Sequence, residues 1–128
     1  MQFRIEVVAV ADDGAEQRQE LVTLTRSEAK LETIGLTLAE SKQVLQHLQQ
    51  TVIERQVDAY LDQERACPHC GKQRRLKQSA LAPFRTLFGL VEVRNPRWWQ
   101  CSCRPHPTKT LRPLTALLPE RTSPELLY

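Results

Sequence analysis

Cys67-Pro68-His69-Cys70-Gly71 and, about thirty residues on, Cys101-Ser102-Cys103 hold all four cysteines of the chain. Two close pairs separated by a hairpin-sized stretch can gather four thiolates around one tetrahedral Zn²⁺ ion. In such a knuckle the sulfur of the first cysteine accepts backbone N–H groups of its own turn, and Gly71 supplies the positive φ that closes it. Cys67, Cys70, Cys101 and Cys103 are therefore the candidate ligands of one structural zinc. The single-residue spacing of the second pair is tighter than usual, which leaves His69 or His106 as alternatives to one thiolate. A thioredoxin-like use of Cys-x-x-Cys places the first cysteine at the start of a helix. Here the pair follows a helical stretch instead. A catalytic zinc needs an open coordination position and usually a nearby base, and the segment between the pairs offers one acid, Glu92.

Positive charge is concentrated around these cysteines. Residues 71–112 carry ten Lys/Arg against Glu92 alone, whereas residues 1–66 carry seven against twelve Asp/Glu. A net +9 over that segment repels itself unless a polyanion neutralises it, so the pattern points to nucleic acid. Lys72, Arg74, Arg75, Lys77, Arg85, Arg94, Arg97 and Arg104 are the candidate phosphate contacts, which position a duplex without reading its sequence. Strand alternation turns Val91 and Val93 inward and Glu92 and Arg94 outward. By the same rule one of Trp98 and Trp99 packs as core while its neighbour, taken as Trp99, is free to stack on a base or a guanidinium. No nucleophile–base pair or phosphate-cradling glycine loop accompanies them, and no small-molecule substrate is implied.

The elements that must position these residues are legible in outline. Residues 2–11 and 19–26 are β-compatible runs around Asp12-Asp13-Gly14, which predicts a hairpin. Thr37 and Glu40 form a capping-box pattern, and no Gly or Pro interrupts the chain from Leu38 until Pro68. That predicts a helix over 38–64, roughly 40 Å long, whose apolar stripe (Leu38, Leu45, Leu48, Val52, Ile53, Val57, Tyr60, Leu61) is expected to bury against the hairpin. The same stripe offers a possible homodimer surface. Short β runs at 73–79, 84–88, 90–94 and 97–101, broken by Pro83, Gly89 and Asn95-Pro96, describe a small antiparallel unit. Pro105, Pro107, Pro113 and Pro119 suggest a stiff irregular connector, and Ser123-Pro124-Glu125 resembles the opening of another helix.

The expected class is α+β: an N-terminal β-hairpin and one long α-helix followed by a zinc-ribbon-like small antiparallel β unit. Its divisions are 1–36 (hairpin and connector), 37–66 (helix), 67–112 (basic zinc-ribbon-like module) and 113–128 (connector and the start of a truncated helix). Neither a secretory leader nor a membrane-length apolar run is present, and cysteines confined to ligand spacing fit a reducing cytoplasm.

Several of these segments, in this order, resemble a known family. They are the Leu36-Thr37-Leu38-Ala39-Glu40 helix start, the Cys67-Pro68-His69-Cys70-Gly71 knuckle, Phe84-Arg85-Thr86-Leu87-Phe88-Gly89-Leu90-Val91-Glu92-Val93, the Cys101-x-Cys103 pair and Leu117-Leu118-Pro119-Glu120-Arg121-Thr122-Ser123-Pro124-Glu125-Leu126. Together they look like the N-terminal region of bacterial insertion-sequence transposases of the ISKra type, a likeness spanning most of residues 25–128. The resemblance implies a zinc-ribbon-like part that touches transposon-end double-stranded DNA at the nucleoid, ahead of a Mg²⁺-dependent catalytic domain whose carboxylates have no counterpart in this chain. The implied role is non-catalytic DNA recognition. A regulatory module that binds a partner protein is the alternative.

Overall fold

The computed structural model describes residues 1–127; Tyr128, the end of the expected helix start, lies outside the described residues. The chain forms two compact units, 1–49 and 50–128, with one continuous helix running from the first into the second.

In the first unit, β1 (Gln2–Val10) and β2 (Glu16–Thr25) form the expected antiparallel hairpin. The turn is closed by Ala11 and Ala15, with Gly14 at φ 88° and the Asp13 carboxylate accepting the Ala15 N–H at 2.9 Å. Register shifts between Ile5 and Glu6, which leaves Leu21 of β2 as an extra residue. A short 3₁₀ turn (Leu31–Thr33) follows, and then the helix α1 (Leu38–Glu64) begins. Its start is the capping box read from the sequence: Thr37 N–H donates to the Glu40 carboxylate at 2.9 Å and Glu40 N–H donates to Thr37 Oγ1 at 3.1 Å. Arg26 gathers these parts. Its guanidinium donates to the carbonyls of Thr33 (3.1 Å) and Gly35 (3.0 Å) and pairs with Glu40 at 2.6 Å, so the end of the hairpin, the connector and the helix start share one side chain.

The second unit is built on the C-terminal half of α1. Ile53, Val57 and Leu61, spaced by four, are buried in one cluster with Ala82, Val91, Val93, Trp98 and Leu114. This corrects the expected partner of the helix stripe: these three residues pack on the β module, not on the hairpin. The module holds β3 (Leu76–Gln78), β4 (Leu81–Thr86), β5 (Gly89–Arg94), β6 (Arg97–Trp99) and β7 (Thr110–Leu111). Strands β4 and β5 form a hairpin whose turn is tied by Thr86 Oγ1, which donates to Gly89 O (2.7 Å) and accepts Phe88 N–H (3.1 Å). Strands β3, β6 and β7 form a separate antiparallel sheet in that order. Alternation holds as expected, with Val91 and Val93 buried and Glu92 and Arg94 exposed.

The segment after Cys103 is more regular than its prolines imply. Thr110-Leu111 adds β7 to β6, and Pro113 opens a one-turn helix, α2 (Leu114–Leu117), that drives Leu114 into the core while the Pro113 carbonyl accepts Tyr60 Oη at 3.3 Å. The last turn, α3 (Pro124–Leu127), is held to β4 by Arg85 N–H to Arg121 O (3.0 Å) and Ser123 N–H to Arg85 O (2.7 Å). Among the described residues no helix is long and apolar enough to cross a membrane.

Candidate metal centre and its basic surround

The first knuckle grows directly out of the end of α1. Arg74 N–H donates to Arg65 O (3.0 Å), Ala66 bridges Gln73, and Cys67 N–H donates to Lys72 O (2.8 Å), so the chain reverses immediately after the helix. Gly71 N–H returns to Cys67 O at 2.9 Å, and Gly71 adopts φ 74°, as its place in the knuckle requires. The second pair sits beyond β6. There Trp99 N–H donates to Arg75 O and Gln100 N–H to Lys109 O, both at 2.9 Å, which fixes Cys101 between the strand following the first knuckle and the strand following Cys103. The late strand β7 therefore holds the second pair in place.

These two turns bring all four sulfur atoms within 4.8 Å of one another. Cys67 and Cys103 are 3.7 Å apart, Cys70 and Cys101 are 3.2 Å apart, and none is in a disulfide. Bonds of about 2.3 Å to a tetrahedral Zn²⁺ separate neighbouring sulfurs by about 3.8 Å, so the four fit one such ion. Neither His69 nor His106 joins the group among the described residues.

The electrostatics point the same way. Backbone N–H groups of Cys70 and then His69 aimed at Cys67 hold its thiol down to about 6. The N–H of Cys103, with the Cys70 thiol next, lowers Cys101 below the ordinary thiol range. The tight Cys-x-Cys spacing thus cradles its first sulfur much as the longer knuckle does. Cys103, hydrogen-bonded to the Cys101 sulfur and partly desolvated, is pushed up to about 12. At Cys70 the Lys72 N–H favours the thiolate, but the Cys101 contact and desolvation outweigh it and raise the thiol. Each pair has one thiol lowered and one raised from the ordinary range. A bound divalent cation would relieve that conflict, and the ligand chemistry of four thiolates suits zinc.

The nine residues expected at a nucleic acid surface fall into distinct settings. Lys72, Arg75, Lys77, Arg85 and Arg104 are exposed. Arg94 is exposed but pairs with Asp58 at 3.0 Å. Arg97 is half-buried in β6. Arg74 is half-buried and donates to the Glu64 carbonyl at 2.8 Å, while Arg65 Nε donates back to Arg74 O. Arg74 thus satisfies the open C-terminus of α1, a structural task its sequence context did not announce. The two tryptophans divide as alternation requires: Trp98 is only 2% exposed and carries the Arg65 guanidinium 5.4 Å from its ring, whereas Trp99 is half-buried with the Lys77 ammonium 4.8 Å from its ring. Lys109, absent from the expected set, is exposed and its backbone is tied to Gln100 beside the second cysteine pair. The net charge of 71–112 was its only signal.

Comparison with family models, curated proteins and solved structures gives no match to this chain.

Proposed function

We propose that this chain is a non-catalytic DNA-binding module whose single zinc ion, held by Cys67, Cys70, Cys101 and Cys103, fixes a basic surface against duplex phosphates. The observation that carries the reading is the ten-to-one excess of basic over acidic residues across 71–112, on a unit whose two cysteine turns converge on one metal-sized site. Lys72, Arg75, Lys77, Arg85, Arg104 and Lys109 are exposed, and among the described residues none of these six is in an ion pair. They are open to phosphate oxygens. The sequence resemblance to the front of ISKra-type transposases supports transposon-end double-stranded DNA as the ligand, with Trp99 beside Lys77 available for stacking.

The test is duplex binding by zinc-loaded wild type, Lys72→Ala/Arg75→Ala and Arg74→Ala. The double variant is expected to lose about tenfold or more in affinity and flatten the salt dependence by nearly two phosphate contacts, without loss of thermal stability. Arg74→Ala is expected to lower stability instead, because it uncaps α1. Absence of duplex binding by folded wild type at low salt sinks the proposal, and capture of a partner protein undisturbed by Lys72→Ala/Arg75→Ala would favour the regulatory alternative.

A further inference from the structure

The hairpin of the first unit ends in an unpaired strand edge. Among the described residues β1 bonds to β2 alone. Met1 and Arg26 exchange both backbone hydrogen bonds, at 3.0 Å and 2.9 Å. Antiparallel pairs alternate between bonded and unbonded, so Gln2 and Arg4 turn their N–H and C=O groups away from β2. At the far end Ala11 N–H donates to Ala15 O at 2.8 Å, which sets Val10, Val8 and Glu6 outward by the same alternation. The two ends agree because the extra residue, Leu21, falls in β2. Strand β1 is thus a regular nine-residue edge with outward backbone groups at every even position and no Pro, Gly or bulge of its own.

Edges are ordinarily blunted by charge, proline or irregularity. Strand β2 is guarded in that way, with Glu16, Gln17, Arg18, Gln19 and Glu20 all exposed and the bulge next to them. Strand β1 is not. Phe3, Ile5 and Val7 alternate along one face, and Phe3 and Ile5 join Met1, Leu24, Ile34 and Leu36 around an open apolar groove of about 720 Å³. Phe3 remains 49% exposed there.

We propose that the chain forms a symmetric dimer by antiparallel pairing of β1 with β1 of a second copy, in the register that sets Arg4 opposite Glu6 of that copy. The charges select both occupant and register. With the two-fold axis at Ile5, Arg4 faces Glu6 twice, Gln2 faces Val8 twice, and all these residues present outward backbone groups. Ile5 then meets Ile5, and Phe3 meets Val7, which carries the apolar wall of the groove onto the second copy. Moving the axis to Arg4 or to Glu6 keeps the hydrogen-bonding parity but places like charges opposite each other at the centre. The pairing is isologous and closes at two copies instead of propagating. It gives the two-stranded sheet the neighbours that an isolated hairpin lacks.

Sedimentation equilibrium of the zinc-loaded full chain tests this. The weight-average mass is expected to rise with concentration from 14.7 kDa toward twice that value. Arg4→Glu and Glu6→Arg, which each oppose like charges at both symmetric pairs, should each weaken the dimer about tenfold, and the double swap Arg4→Glu/Glu6→Arg should restore it to within about threefold, all in the Arg18→Gln background that removes the exposed Glu6–Arg18 pair within one copy. Val8→Pro removes an outward N–H that β2 does not use, so it should abolish the dimer while the circular dichroism of the chain is kept. A wild type that stays at 14.7 kDa up to about 1 mM chain overturns the proposal. So does an association that survives Val8→Pro, or a double swap no better than the single ones.

Discussion

Removing the proposed zinc should unravel part of α1 as well as the cysteine turns. Ile53, Val57 and Leu61 anchor the C-terminal half of the helix to Val91, Val93, Trp98 and Leu114. Burying three such side chains is worth about 1.5–3 kcal/mol each, so the anchorage contributes about 5–9 kcal/mol, and it exists only while the β module is folded. A structural zinc in a small thiolate site supplies about 10–16 kcal/mol of apparent folding free energy, as large as the whole stability of an ordinary domain. Without it the second unit is expected to open. Gln50–Glu64 accounts for 15 of the 27 residues of α1, and a peptide of that length is marginally helical by itself. The first unit keeps its hairpin and helix start through Arg26 and the capping box. Chelation should therefore cut the helical ellipticity at 222 nm by about half, in step with release of one zinc per chain measured by a chromogenic indicator. Full ellipticity after stoichiometric zinc release would refute the reasoning, since the core would then hold without its staple.

Two further substitutions probe the packing and the first unit. Trp98→Ala should cost about 3–5 kcal/mol in thermal or denaturant unfolding of the zinc-loaded protein, whereas Trp99→Ala, on a half-buried ring, should cost clearly less; equal losses would contradict the division of the two indoles. The Arg26 guanidinium, with the Thr37 N–H adding to it, holds the Glu40 carboxyl below its ordinary 4.5. A depressed carboxylate stabilises the fold above the unfolded pKa and loses that contribution as pH falls through the folded value. Wild type should thus be more stable than Glu40→Gln at neutral pH, and the difference should shrink once pH falls below about 4.5. A difference that is constant from pH 7 to pH 3 would contradict the ionic clasp.

Local signals carried far in this chain. The capping box at Thr37 and Glu40, with no Gly or Pro before Pro68, gave both ends of α1, because helix start and stop are decided within a few residues. The knuckle at Cys67 and the inward valines of β5 were readable for the same reason. Features set by distant contacts were not. The helix stripe was expected on the hairpin because the two are neighbours in sequence, and only tertiary packing gave Ile53, Val57 and Leu61 to the β module. Strand β7 is two residues long among prolines and exists because β6 offers it an edge. Arg74 looked like one more cation in a basic run, yet the open carbonyl end of α1 lies beside it. Arg26 had no local pattern at all, since its side-chain partners lie up to fourteen residues away. Of the candidate site, the four cysteines were fully legible from spacing; which cations stay exposed depended on the fold.

Salt dependence of duplex binding tests the proposed role most directly. Lys72, Arg75, Lys77, Arg85, Arg104 and Lys109 give six exposed cations that, among the described residues, have no acidic partner. If each neutralises one phosphate, the logarithm of the association constant should fall against the logarithm of salt with a slope of about −5. Fluorescence anisotropy of a labelled duplex with the zinc-loaded chain, at several salt concentrations, measures it. A slope near that value is the expected result; a flat line, or no binding at the lowest salt, would contradict DNA recognition by this surface.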